Sequence, residues 1–431
     1  MDKIKVLFIS DMIYSTSGVA HQSRIIAEAL LRSGKFKIVH LAGAIAHPNY
    51  QHSKTEEFGD DLLIVPVDGF GNQELIRSVI RQERPDMIYL MSDPRFHSHL
   101  FDIANEIRPL MPIVYYEIWD NHPYPYFNRS SWTSVDKLVA ISKLTQDLNQ
   151  KVAPEVECEY LPHAVDTNIF KKLPMLDVER FRKDSFATTT TDGNKFIFFY
   201  NSRNAKRKNT GSIVWWFNDF LNEVGKDKST LILHTDPTDP NGCDLEQIIE
   251  YLGLTNGEVL FSRQKIPPEA LAMIYNMADC TISASSAEGW GIFLMESMSC
   301  ETPVIATWTG GMKDQLTDGE NWFGIPVYPA AQTLVGSSGR DQFGYMVPYI
   351  YDDAISGKDF VEAMKKMYYM SKEERDEWGK KGREHILKNM NYERFQTRWV
   401  ELMLELYEKY GSWNVLGRRK GYQGWKLMEI K

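Results

Sequence analysis

The sequence predicts an α/β protein made of two successive Rossmann-like, doubly wound domains. Three observations carry this: a length of 431 residues, a repeated alternation of short apolar runs with helical patterns, and a polar, threonine-rich break between two such alternations. At roughly 100 to 200 residues per domain, a chain of this length holds two or three domains, and two fits the alternation. With 43% hydrophobic and 25% charged residues there is material for complete cores, so a disordered or fibrous class is excluded.

The first alternation runs IKVLFIS then SGVAHQSRIIAEALLRSG, LLIVPV then QELIRSVIRQE, DMIYLM, MPIVYYEIW, and KLVAIS before KLTQDLNQKV. Continuous apolar strands followed by helices are the pattern of a parallel sheet covered on both faces. The expected N-terminal domain is 1–166. The segment 167–194, polar and ending in ATTTTDGNK, reads as a linker.

The second alternation, expected over 195–400, runs through KFIFFYNS, TGSIVWWFNDFLNEVG, STLILHT, PEALAMIYNMA, CTISAS, GIFLMESMSC and PVIAT. The aromatics of VWWFNDF fall at helical spacing and read as core. Ser371 and Glu374 have the spacing of a capping box and open the terminal helices. Residues 401–431 are expected to form a helix and tail bracing the N-terminal domain.

A formal charge of −9 and a pI near 5.7 exclude a protein whose main task is neutralising nucleic-acid phosphates. The basic C-terminal GRRKGYQGWKLMEIK offers a peripheral contact to an anionic membrane surface, although a solvated tail is the preferred reading. Cys158, Cys243, Cys280 and Cys300 lie far apart without metal-ligand spacing and read as reduced packing residues. No segment approaches the ~20 apolar residues of a membrane span. The N-terminus lacks the pattern of a signal peptide, so the expected location is cytoplasmic.

The chemistry gathers in SSAEGWGIFLMESMSCETPVIATWTGG, Ser285 to Gly311. In open parallel sheets ligands bind at the carboxyl ends of strands, and this stretch is such a strand-to-helix corner. Gly289 and Gly291 permit a tight turn, and the amides of Ile292, Phe293 and Leu294 at the helix start favour an anion such as phosphate. Glu288 and Glu296 then offer two acceptors to hydroxyl groups, as a sugar and a ribose present. The competing reading has Glu288 capping the helix and Glu296 solvated on its surface. A second clue is FFYNSRNAKRKN, a strand running into Arg203, Lys206, Arg207 and Lys208, a cluster able to neutralise a diphosphate. DGFGNQE carries Gly69 and Gly71 but Glu74 in place of a third glycine, so the dinucleotide fingerprint is incomplete.

These residues resemble the E-x7-E signature of the retaining family 4 glycosyltransferases of the GT-B fold. Seven residues separate Glu288 from Glu296, and FISDMIYSTSGVAHQSRIIAEAL, VDKLVAISK, LPHAVDTNIF and NSRNAKRKN extend the likeness over most of the chain. The resemblance implies two Rossmann-like domains facing across a cleft, and transfer of a sugar from a nucleotide-diphosphate sugar, such as a UDP- or GDP-sugar, to an acceptor hydroxyl. It also implies retention of configuration, no metal and no cofactor. By resemblance Arg203 and Lys208 contact the donor diphosphate, Glu296 holds the ribose and Glu288 the transferred sugar. Gly291, Ile292 and Phe293 complete the phosphate site, Gly18 lets the first domain approach the donor, and Ile266 borders the base.

The chain departs from the family pattern in places. Where the family has a histidine in an H-D context, Trp119 precedes Asp120 and the histidine is His122, so Asp120 and His122 are the candidates there. Glu301 stands where a glycine follows the cysteine, which predicts a different turn, and Lys313 and Asp314 follow TGGM where the family has a glutamate. The acceptor is left open among glycan, lipid, protein, small molecule and modified nucleic-acid base. A nucleotide-sugar epimerase of the same fold and a non-catalytic nucleotide-sugar binding protein are the alternatives.

Overall fold

In the computed structural model residues 3–186, 195–337, 339 and 347–413 are described. The chain divides into two compact units: Met1–His163 with Val335–Ile350 and Glu393–Lys431, and Ala164–Leu334 with Tyr351–Tyr392.

The first unit holds a seven-stranded sheet of β1 (Ile4–Asp11), β2 (Phe36–Gly43), β3 (Leu62–Pro66), β4 (Met87–Met91), β5 (Ile113–Glu117), β6 (Lys137–Ala140) and β7 (Cys158–Tyr160) in the order β3-β2-β1-β4-β5-β6-β7. Every ladder is parallel. Strands buried on both faces explain why β1 and β4 read as unbroken apolar runs. The sequence pattern missed β2, because FKIVHLAG carries His40 in its middle. That imidazole is fully buried, bonded to the Phe8 carbonyl at 3.1 Å and to the Ile13 amide at 3.3 Å, and so fits an apolar sheet.

The second unit holds β8 (Phe196–Asn201), β9 (Ser229–His234), β10 (Val259–Ser262), β11 (Cys280–Ser283), β12 (Val304–Thr307) and β13 (Ile325–Val327) in the order β10-β9-β8-β11-β12-β13, again parallel. Phe217 and Phe220 of the VWWFNDF helix are fully buried in its core, while Trp215 is exposed and stacks on Tyr251. Two further strands, β14 (Pro329–Val335) and β15 (Ile350–Ile355), pair with each other.

The expected boundaries move: residues 164–166 fall in the second unit, and Val335–Ile350, expected in the C-terminal domain, falls in the first. Residues 167–186 are not a bare linker but belong to the second unit: Met175–Phe186 is a helix against the helix Pro268–Met277, and Arg182 reaches Asp279 at 3.6 Å. Its polar composition reflects an exposed helix, not an irregular chain; residues 187–194 of the expected linker lie outside the described residues.

The return to the first unit comes at Glu393 rather than at 401, inside the helix Tyr392–Tyr410. There Trp399 is buried edge-on against Tyr89 and Tyr116, at 5.5 and 5.0 Å between ring centroids, and Arg398 grips Glu159 with two bonds of 2.7 and 2.9 Å. The basic tail from residue 414 lies outside the described residues. The capping box at Ser371 and Glu374 is present. None of the four cysteines is in a disulfide; Cys280 and Cys300 are buried, whereas Cys243 is exposed and is no core residue.

Candidate active site

In the second sheet the strand order reverses between β8 and β11, so the loops leaving these neighbours diverge to opposite faces and open a crevice at their carboxyl ends. The loop after β8 carries Arg203 to Asn209, and the loop after β11 carries Ala284 to Gly291. Hydrogen bonds sew the two together: Ser286 N donates to the Arg207 carbonyl at 2.8 Å, Asn209 Nδ2 to the Ala284 carbonyl at 2.9 Å, and Arg207 to the Ala287 carbonyl at 2.6 Å.

At the seam Lys208 donates to Oε2 of Glu288, both side chains being nearly buried, and Arg207 approaches the same oxygen at 3.4 Å. Burial pushes the Glu288 carboxyl up, but Lys208 and Arg207 outweigh it and hold it below the usual range, so Glu288 is an anion. Among the described residues Oε1 of Glu288 takes part in no hydrogen bond.

Glu296 lies one turn into the helix Ile292–Ser299 and is also buried. Its Oε2 accepts from the Tyr275 hydroxyl at 2.7 Å, and that hydroxyl accepts from Asn201 Nδ2 at 2.8 Å. Burial raises the Glu296 carboxyl to about 7, against the lowering effect of Tyr275. Its Oε1, like that of Glu288, accepts no bond among the described residues. The reading of Glu288 as a cap and Glu296 as a solvated residue therefore fails: Gly291 is the N-cap, without a side-chain bond, and both glutamates are held inside.

Gly291 has φ 85°, the left-handed conformation that glycine adopts without steric cost. The helix opens with the amides of Ile292 and Phe293. The Leu294 amide, expected to be available, is taken by the Gly291 carbonyl at 2.9 Å. Gly310 and Gly311 lie beneath this turn, and Gly311 N donates to the Glu288 carbonyl at 3.0 Å.

Arg203 is not brought to the glutamates. Its guanidinium is exposed and pairs with Asp239 at 2.5 and 3.1 Å, which holds the Asp239 carboxyl well below its ordinary value. Ile266 is half-buried on the loop from β10 to the helix Pro268–Met277, the helix that supplies Tyr275.

Gly18, Asp120 and His122 belong to the first unit. Gly18 begins the helix Gly18–Arg32, capped by Ser17, whose hydroxyl also bonds Asp11. His122 is half-buried with its ring edge-on to Tyr124 at 5.3 Å, in a loop that Glu117 braces by accepting from Trp119 N at 3.1 Å. Glu301 takes φ 61°, so the turn after Cys300 keeps a left-handed residue although glycine is absent; the expectation of a changed turn is corrected there. Tyr275, Asn201 and Asp239 were not singled out from the sequence. Tyr275 and Asp239 hold Glu296 and Arg203 from elsewhere in the chain, where no local pattern marks them, and Asn201, at the head of NSRNAKRKN, supports Tyr275.

Residues 182–337, which include this whole corner, match the sequence profile of the glycosyl transferases group 1. Over that segment the chain is similar to this family. It is 29% identical over 181 residues to the alpha-monoglucosyldiacylglycerol synthase of Streptococcus pneumoniae, covering 42% of this chain and 39% of that relative. The match thus spans about two fifths of the relative's length. Among solved structures, the sucrose-phosphate synthase of Thermosynechococcus elongatus is similar with a TM-score of 0.72 at 14% identity, covering 94% of this chain and all of that one. Anabaena HepE in complex with UDP-glucose follows with a TM-score of 0.68 at 16% identity over 93% of this chain and all of its own. The fold of the chain is accordingly the GT-B type, with two doubly wound parallel-sheet domains. Among its described residues no helix is long and apolar enough to cross a membrane.

Proposed function

We propose that the protein is a retaining glycosyltransferase that moves a sugar from a nucleotide-diphosphate sugar to an acceptor hydroxyl without a metal ion. The observation that carries this reading is the pair of glutamates at the β8/β11 crevice, Glu296 buried and Glu288 nearly so, each with Oε2 held by the protein and, among the described residues, no hydrogen bond to Oε1. A carboxylate oxygen fixed in this way accepts a hydroxyl donor at little cost in ordering. Glu296 takes the ribose hydroxyls and Glu288 those of the transferred sugar.

The leaving diphosphate gains negative charge as the bond from the anomeric carbon to the phosphate oxygen breaks. Lys208, Arg203 and the amides of Ile292 and Phe293 supply donors for that charge. Arg203 engages Asp239 through Nε and Nη2, and its exposed side chain presents the rest of the guanidinium to a phosphate. Front-face attack then forms the new bond on the same side, and the acceptor proton passes to the departing phosphate oxygen, so that no enzyme nucleophile is used.

The test is product analysis with a panel of nucleotide sugars and simple acceptors. Transfer with retained anomeric configuration, unchanged by chelator, and lowered about a hundredfold or more in Arg203→Ala supports the reading. Interconversion of the donor with no acceptor consumed would instead make the protein an epimerase.

A further inference from the structure

On the second unit, a pocket of about 330 Å³ opens beside the edge strand β13, floored by Ile325 and Pro326 and walled by Trp322, Tyr328, Trp378 and Lys366. The donor chemistry uses none of these residues. Trp322 and Tyr328 are 40% and 54% exposed, a large aromatic area to leave in water. Trp308 joins them, with ring centroids 5.3 Å from Trp322 and 5.8 Å from Tyr328 and ring planes inclined by 55° and 47°. The rings are therefore inclined to one another and do not form a flat patch, and Trp322 and Tyr328 line the pocket. Lys366 Nζ stands 5.9 Å from the Trp378 ring, placing an ammonium donor at the rim.

We propose that this pocket is a second carbohydrate subsite that holds one ring of a glycan chain. The volume is at the small end of ligand pockets, roughly 300 to 1,000 Å³, and suits a compact ring. Sugar rings present apolar C–H faces to aromatic planes and hydroxyls to surrounding polar groups, which is the division seen between the tryptophans and Lys366. The place argues in the same direction. Trp308 N donates to the Val327 carbonyl at 2.9 Å, and the same loop reaches Gly311, whose amide bonds Glu288 at 3.0 Å. A short stretch of backbone thus links the aromatic wall to the donor corner.

A lipid surface is the less suitable occupant. Exposed Asp318 and Glu320 sit on the turn before Trp322, where they repel anionic headgroups. The inference rests on the sugar-transfer reading in one respect, that it names a glycan as the acceptor class.

The experiment titrates the full chain, Trp322→Ala and Tyr328→Ala with short gluco-, galacto-, manno- and N-acetylglucosamine oligosaccharides, with UDP and GDP in parallel, and with phosphatidylglycerol vesicles as a further arm. The expected result is binding of at least one oligosaccharide series, weakened about tenfold or more in both variants while nucleotide uptake and melting temperature stay as in the parent. The proposal is overturned if no series binds, if binding is unchanged in both variants, or if only vesicle binding falls. Absence of nucleotide uptake by the parent chain with oligosaccharide binding intact would sink the donor assignment and uphold this subsite.

Discussion

Tyr275 donates its hydroxyl proton to Oε2 of Glu296 across 2.7 Å, and this bond fixes a buried carboxyl at the mouth of the β8/β11 crevice. Burial has raised that carboxyl to about 7, and the tyrosine bond only partly offsets it. Tyr275→Phe removes the offset, so the Glu296 carboxyl rises further and fewer molecules carry the carboxylate at neutral pH. Donor affinity is expected to fall about tenfold at pH 7 and to recover towards the parent value in mild alkali. Calorimetric titration of the donor at several pH values checks this, and a loss that is the same at every pH would contradict it.

Glu296 also ties stability to pH in a definite direction. Its folded value of about 7 lies above the ordinary 4.5, so the folded chain binds this proton more tightly than the unfolded chain. The contribution is fully present below about pH 4.5 and is lost as pH rises through about 7. Glu296→Gln stays neutral throughout, and its stability relative to the parent is expected to improve by up to about 3 kcal/mol on going from pH 4 to pH 8. Urea midpoints at both values measure it. A constant difference between the two proteins would show that Glu296 does not titrate in this window.

Glu288 behaves in the opposite sense, since Lys208 and Arg207 together hold it below its usual value in spite of burial. Lys208→Met leaves a buried anion with Arg207 alone, and a cost of about 3 kcal/mol at neutral pH is expected. Adding Glu288→Gln should restore much of it. A double-mutant cycle by chemical denaturation reads the coupling, and a value below about 0.5 kcal/mol would mean that the pair is not an energetic unit.

How much of this was legible beforehand differs from element to element. β1, β4 and β11 are apolar runs that declare a buried parallel strand, and the corner from Glu288 to Glu296 is continuous in the chain, so it could be read as one strand-to-helix segment. β2 was hidden because a buried histidine interrupts the apolar run, and its bonds to Phe8 and Ile13 come from other segments. The helix Met175–Phe186 was hidden because an exposed helix is polar enough to read as a linker. Tyr275 was invisible for another reason: it is one aromatic in an amphipathic helix, and only the tertiary fold aims it at Glu296. Arg203 shows the converse, since its expected place on the diphosphate came from the resemblance of its segment to a family motif, while its tie to Asp239 left no mark in the sequence.

The glycines under the corner give a prediction about backbone. Gly310 has φ 51°, and a Cβ there would fall on the Glu288 carbonyl oxygen. Gly310→Ala must move the turn that carries Glu288, so a stability loss above about 1 kcal/mol and a collapse of turnover are expected together. Gly319→Ala is the control: φ is 100° but no atom lies within 4 Å of the added carbon, so strain costs stability without disturbing turnover. Equal effects of the two variants on turnover would refute a role for close packing beneath Glu288.

The most direct test of the central claim is calorimetric titration of the full chain and of Glu296→Ala with UDP- and GDP-sugars. The account predicts uptake of at least one donor at one site per chain, weakened about tenfold or more in the variant. No uptake of any sugar nucleotide, or equal affinity in both proteins, would contradict it.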